Sequence, residues 1–203
     1  MRRLLAFFRH DVRGASAAEF AMVLPLMLLF LLGIIDVGRL MWTWNQAEKA
    51  TQTGVRYAVA TNVLANNFAN FSFATTGYGT QGDPVSTTAF TGIACTSSSC
   101  TCTGTACNSM NVSVNSTAFT NLVNRMNDIF PRVAAANVTV DYTNVGLGFA
   151  GDPNGPDVAP LVTVKLQNLT FQPITLILFN TSITLPSFSA ALTLEDGSGT
   201  YSN

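Results

Sequence analysis

The pattern of apolar and polar positions passes through several regimes along the chain. From Ala15 to Ile35 nearly every residue is apolar, and Ser16 and Glu19 are the only polar side chains. A helix of roughly 20 such residues crosses the ~30 Å hydrocarbon core of a bilayer, so this run predicts a transmembrane helix. Pro25 falls inside it and removes one backbone hydrogen bond, which membrane helices tolerate when neighbours or local adjustments satisfy the freed carbonyl. Gly33 and Gly38 are five apart and do not form a GxxxG pair. Past Ile35 the pattern becomes that of a helix with a narrow face. Ala47, Ala50, Gly54 and Ala58 recur at spacings of three and four, a stripe that another element can approach closely, while Gln46, Glu48, Lys49 and Gln52 are polar. Asp36 and Arg39 have i,i+3 spacing, and Trp42 and Trp44 stand where indoles favour the headgroup region. A single helix over 15–60 would be about 69 Å long at 1.5 Å per residue, with roughly half of it beyond the bilayer.

Residues 61–115 show no sustained period. Phe68, Phe71 and Phe73 sit among Asn, Ala and Ser, and Gly77, Gly79, Gly82 and Pro84 punctuate the next stretch, so the segment reads as an irregular Cys/Ser/Thr-rich loop region. Periodicity returns after it. Phe119, Leu122, Val123, Met126, Ile129 and Phe130 follow the helical repeat, with Ser116 or Thr117 as N-cap and Pro131 as stop. Val138, Val140 and Tyr142 alternate with polar residues, as do Val162, Val164 and Leu166 beyond a Gly/Pro-rich loop over 146–160. Pro173 opens a short apolar segment, Ile174 to Phe179, read as one or two helical turns, and a last strand is expected around Ser187 to Leu194. One helix on a three- or four-stranded antiparallel sheet accommodates these elements. The expected organisation is α+β: a leader over 1–14, a transmembrane helix and stalk over 15–60, the loop region over 61–115 and a small helix-plus-antiparallel-sheet domain over 116–203.

Charge predicts the orientation. Arg2, Arg3, Arg9 and Arg13 stand against Asp11 in residues 1–14, a balance of +3 that leaves −4 for the rest of a chain whose net charge is −1. By the positive-inside rule the N-terminus is cytoplasmic and the bulk of the chain lies outside. A cleaved secretory signal fits poorly, because the apolar run is longer than an ordinary h-region and no A-x-A-like site follows it before Asp36 and Arg39. Charged residues are only 10% of the chain, and Asp83 is the only one between Phe68 and Met110. Soluble domains carry roughly 25%, so this surface is solvated by hydroxyls and amides, and a nucleic-acid-binding face is not expected.

Little in the chain can do chemistry. The only histidine is His10, in the leader, which removes Ser-His-Asp triads and histidine metal sites from the exported part. Asp152 and Asp157 lie in a DPNGPD loop that has a weak likeness to a calcium site and reads better as a turn. The four cysteines, Cys95, Cys100, Cys102 and Cys107, lack the C-x-x-C spacing of most structural zinc sites. Outside the cytoplasm the disulfide reading is favoured. A Cys100–Cys102 bridge would close a strained small ring, which favours Cys95–Cys100 with Cys102–Cys107 as staples of a long loop. No enzymatic activity, cofactor or metal is expected.

The start of the apolar run carries a more specific signal. Gly14 is followed by ASAAEF, with Glu19 at the fifth position after the glycine and Phe20 at the sixth. This resembles the processing site of type IVb prepilins of the Flp/Tad class, in which a membrane aspartyl peptidase cuts after the glycine. The continuation AMVLPLMLLFLLGIIDVGRLMW is similar to the TadE-like family of minor pseudopilins, and the resemblance covers about residues 9–60; the four-cysteine insertion is no part of it. It implies a minor pseudopilin of a Tad (tight adherence) pilus, cut between Gly14 and Ala15 by a prepilin peptidase. Its implied partners are other pilins, an inner-membrane platform, an ATPase and membrane lipid. Its implied role lies in pilus biogenesis, adhesion or surface colonisation. The implied location is a bacterial inner membrane in single-pass orientation, with the C-terminal domain periplasmic or extracellular and incorporation into the pilus as a further step. Glu19 has a physical account of its own. A carboxylate in lipid costs a few kcal/mol or more unless paired, and cleavage would create an α-ammonium at Ala15 able to neutralise Glu19 of an adjacent subunit. The competing reading is a single-pass anchor that carries a periplasmic binding or adhesive module and never enters a pilus.

Overall fold

The computed structural model describes residues 15–176, 181–195 and 197–199. The leader, and Ile177 to Phe179 of the expected apolar turn, lie outside the described residues. In chain order the elements are α1 (Ala15–Ala60), β1 (Ala65–Asn66), β2 (Gly92–Cys95), β3 (Cys100–Thr103), α2 (Cys107–Met110), β4 (Ser113–Val114), α3 (Ser116–Asn127), a 3-10 turn (Ala135–Asn137), β5 (Val138–Thr143), β6 (Leu161–Leu166), β7 (Thr170–Phe171), β8 (Ile183–Thr184) and β9 (Phe188–Thr193). This is the expected α+β organisation, a long apolar N-terminal helix followed by a small helix and an antiparallel sheet. Two compact units result. One holds the chain up to Trp42 with Phe171–Ile183, and the other holds Thr43–Thr170 with the chain from Thr184 onward.

The larger unit is built on a five-stranded sheet in the order β3-β2-β5-β6-β9, with every neighbouring pair antiparallel. Its centre shows why the alternating residues matter. Val138, Val140 and Tyr142 pair in register with Leu166, Val164 and Val162, and all six are buried, while the residues between them are less so. Side chains alternate across a strand, so this register puts all six on one face. The second half of α1 packs there. Thr43, Ala47, Ala50, Gly54 and Ala58 are buried at spacings of three and four. At Gly54 a Cβ would stand 2.9 Å from both Cγ and Sδ of Met126 and 3.5 Å from Val164 Cγ1, so the helix backbone lies directly against α3 and the sheet. Thr51 on the helix and Thr61 just past it, both buried, donate their hydroxyls to the carbonyls of Ala47 (2.8 Å) and Tyr57 (2.7 Å).

Helix α3 buries Phe119, Leu122, Val123 and Met126, as its period predicts, but its cap differs from expectation. The Asn115 side chain, not that of Ser116 or Thr117, accepts the Ala118 N–H at 3.1 Å. Asn115 is held extended because its own N–H donates to Leu64 O at 2.7 Å, and an extended residue ahead of the first turn is what an N-cap requires.

The expectation of an irregular 61–115 needs correction. Gly92–Cys95 and Cys100–Thr103 form a hairpin that extends the main sheet to five strands. Phe68, Phe73 and Phe90 are buried together, with Phe68–Phe90 ring centroids at 5.2 Å and Phe73–Phe90 at 5.8 Å. Tyr142 closes this cluster, and its hydroxyl accepts the buried Leu64 N–H at 3.0 Å. The physical reason is non-local: a four-residue strand of GIAC has no period of its own, and its partner β5 lies more than forty residues onward. Residues 195 and 199 return to the end of α1. Asn62 N–H donates to Gly199 O (2.8 Å), Gly199 N–H to Asn62 Oδ1 (2.9 Å), and Glu195 N–H to Val59 O (3.3 Å).

Candidate membrane and assembly segment

The first half of α1 has the length and composition of a membrane span. Almost all of its apolar side chains, from Phe20 through Met22, Leu26 and Phe30 to Ile34, are exposed. A soluble protein rarely leaves so long a run of apolar surface open, and the helix is long and apolar enough to cross a membrane. The helix is continuous through Pro25. Glu19 and Phe20 sit on it, both exposed, and Glu19 has no ion-pair partner among the described residues. Ala15 is helical backbone, whereas Gly14 lies outside the described residues.

One residue beyond the apolar run the structure assembles something that sequence reasoning missed. Asp36 is buried, and each of its oxygens is saturated. Oδ1 accepts the Ile174 N–H (2.7 Å) and the Arg39 guanidinium (3.0 Å). Oδ2 accepts the Thr175 N–H (2.8 Å) and the Thr175 hydroxyl (2.8 Å). Arg39 also lies over the Phe171 ring, 5.3 Å from its centroid. The Asp36–Arg39 spacing was visible in the sequence; the partner segment 138 residues away had no local signal except Pro173, which opens a turn whose Ile174 and Thr175 amides donate to Asp36.

The structure pairs Cys95 with Cys100 and Cys102 with Cys107, each separated by five residues. The first bridge closes the β2–β3 hairpin, and the second ties β3 to α2. In the DPNGPD loop the carboxylates serve the backbone. Asp157 is buried and accepts the N–H of Phe73 (2.7 Å) and of Asp152 (3.2 Å), while Asp152 accepts the Asn154 N–H (2.9 Å). These bonds make the loop a turn that borders a polar cleft of about 610 Å³, lined in part by Ser72, Gln81 and Asn154. No cluster of three His, Cys, Asp or Glu side chains that could hold a metal occurs among the described residues.

An apolar helix long enough to cross a membrane runs on into a disulfide-stapled α+β unit. Residues 14–56 match the family model of the TadE-like proteins, so this segment is TadE-like and supports a pilin-like protein of the Tad system. No curated protein and no solved structure matches the chain.

Proposed function

We propose that the protein is a minor pseudopilin of a Tad/Flp type IVb pilus system, cut after Gly14 by a prepilin peptidase and held in the inner membrane by the first half of α1. The TadE-like match begins at Gly14 and carries this reading. Glu19 and Phe20 are the assembly residues: the carboxylate enters the lipid without a partner of its own and is neutralised by the Ala15 α-ammonium of a neighbouring pilin. The outer unit, with its low charge and two disulfides, suits a role outside the cytoplasm in pilus biogenesis, adhesion or colonisation. The N-terminus is cytoplasmic, and the partners are the peptidase, other pilins and the inner-membrane platform.

Intact mass of the membrane-purified protein tests the reading. Removal of 14 of the 203 residues leaves a chain of 189 that starts at Ala15. A mass that retains residues 1–14 in cells with an active prepilin peptidase would leave the plain membrane anchor as the better description.

A further inference from the structure

We infer that the polar cleft beside the DPNGPD loop is a binding site for neutral oligosaccharides. The inference deepens the adhesive role proposed above for the outer unit. The cleft encloses about 610 Å³, within the ~300–1,000 Å³ of small-molecule sites. The chain at 69–75, the loop at 151–157 and Gln81 supply most of its wall. These pieces are tied to one another. Buried Asp157 accepts the Phe73 N–H at 2.7 Å and the Asp152 N–H at 3.2 Å, which joins the first two. Gly82 N–H donates to Ala150 O (2.9 Å) and Ala150 N–H to Asp83 O (2.9 Å), which holds Gln81 beside the loop. Gly151 has φ +80°, and a Cβ there would stand 3.1 Å from Gln81 Cγ, so the glutamine stem lies directly on the loop backbone.

What the wall presents selects the ligand. The side-chain amides of Asn70, Gln81 and Asn154 line the cleft and bond to no other group among the described residues. Each offers two donors and an acceptor, a match for sugar hydroxyls, which donate and accept in turn. The bonded backbone beneath them reduces the ordering that binding has to impose. Half-buried Phe71 lines the same cleft, its ring edge-on to Phe73 with centroids 4.9 Å apart. The negative face of such a ring attracts the polarised C–H groups of a pyranose. Charge excludes the alternatives. No Lys, Arg or His lines the cleft among the described residues, whereas Asp152 and Asp157 do. A phosphate, sulfate or carboxylate ligand would meet like charge with no cation to offset it. A wholly apolar ligand would desolvate the amides without pairing them. An uncharged ligand rich in hydroxyls satisfies both conditions.

Calorimetric titration of the full chain in lipid nanodiscs with lactose, maltotriose and chitotriose tests this. At least one of the three should bind saturably, and Gln81→Ala and Asn154→Ala should each weaken that binding at least fivefold. Both side chains are exposed and their amides make no bond within the fold, so the urea midpoint should stay where it is. Gln52→Ala removes an exposed amide of α1 that is not part of the cleft, and should leave binding unchanged. Failure of all three sugars to bind refutes the site. Binding that both cleft variants leave intact refutes its location. Tighter binding of a heparin tetrasaccharide than of any neutral sugar refutes the ligand class. The titration does not depend on cleavage after Gly14, so a negative result here leaves the pilin reading standing, and a retained leader would leave the sugar site standing.

Discussion

Removing one oxygen atom from Tyr142 isolates a single buried interaction. Tyr142 and Leu64 are each 1% exposed, and the hydroxyl accepts the Leu64 N–H at 3.0 Å. Tyr142→Phe keeps the ring against Phe68, so no appreciable cavity opens. The amide loses its acceptor, and an unsatisfied buried donor costs about 1–3 kcal/mol. That is a large share of the about 5–15 kcal/mol that typically holds a domain together. Urea unfolding in detergent, followed by near-UV circular dichroism, should show a lower midpoint with an unchanged slope. Alkaline pH supplies an independent check. Burial pushes the Tyr142 phenol well above its ordinary value, against a smaller opposing effect of the Leu64 N–H. A raised folded value means that the stability is fully present below the unfolded value near 10 and is lost as pH rises above it. The loss is up to about 1.4 kcal/mol per pH unit for this one proton. The wild-type advantage over Tyr142→Phe should therefore be constant through neutral pH and shrink above pH 10. Equal midpoints at pH 7, or a gap that stays constant between pH 9 and 11, would refute the reasoning.

Three further outcomes can be checked. Glu19→Gln keeps shape and removes charge, so the protein should insert and be cleaved as before yet co-purify less with partner pilins; unchanged co-purification would make Glu19 a bystander. The four cysteines should resist alkylation until reduced, and because each bridge closes a loop of only five residues' separation, replacing the Cys102–Cys107 pair by Ala should cost about 2 kcal/mol in a denaturant titration. Gly54→Leu should lower the thermal midpoint, since a Cβ there already stands 2.9 Å from Met126 and overpacking costs about 1–3 kcal/mol, and Met126→Ala in the same chain should restore part of the loss.

What was legible in the sequence was legible because it was local. The 3.6-residue period of Phe119, Leu122, Val123 and Met126 belongs to one helix, and the alternation in β5 and β6 belongs to single strands. The small-residue stripe Ala47, Ala50, Gly54 and Ala58 marked a face for close approach, and Met126 and Val164 meet it. What stayed hidden depended on distant partners. β2 is four residues long and gains its identity from β5, and the Asn115 cap depends on the Leu64 carbonyl across from it. At the candidate site, Glu19 stood out because a carboxylate interrupts an apolar run. Asp36 did not, because a charge just past such a run is ordinary, and its burial is created by Ile174 and Thr175.

The return of residues 195 and 199 to the end of α1 makes closure of this unit a non-local event. The partners of the helix end come from far along the chain: Glu195 N–H donates to Val59 O, and Gly199 and Asn62 exchange hydrogen bonds at a separation of 137 residues. Until α3 and the sheet are in place, Ala47, Ala50 and Gly54 have no surface to pack on. Closure must then wait for residues up to Gly199, and contacts of such long sequence separation form slowly. A chain cut before Glu195 would keep α1 yet lack the bonds that hold its end, leaving this unit open to proteolysis.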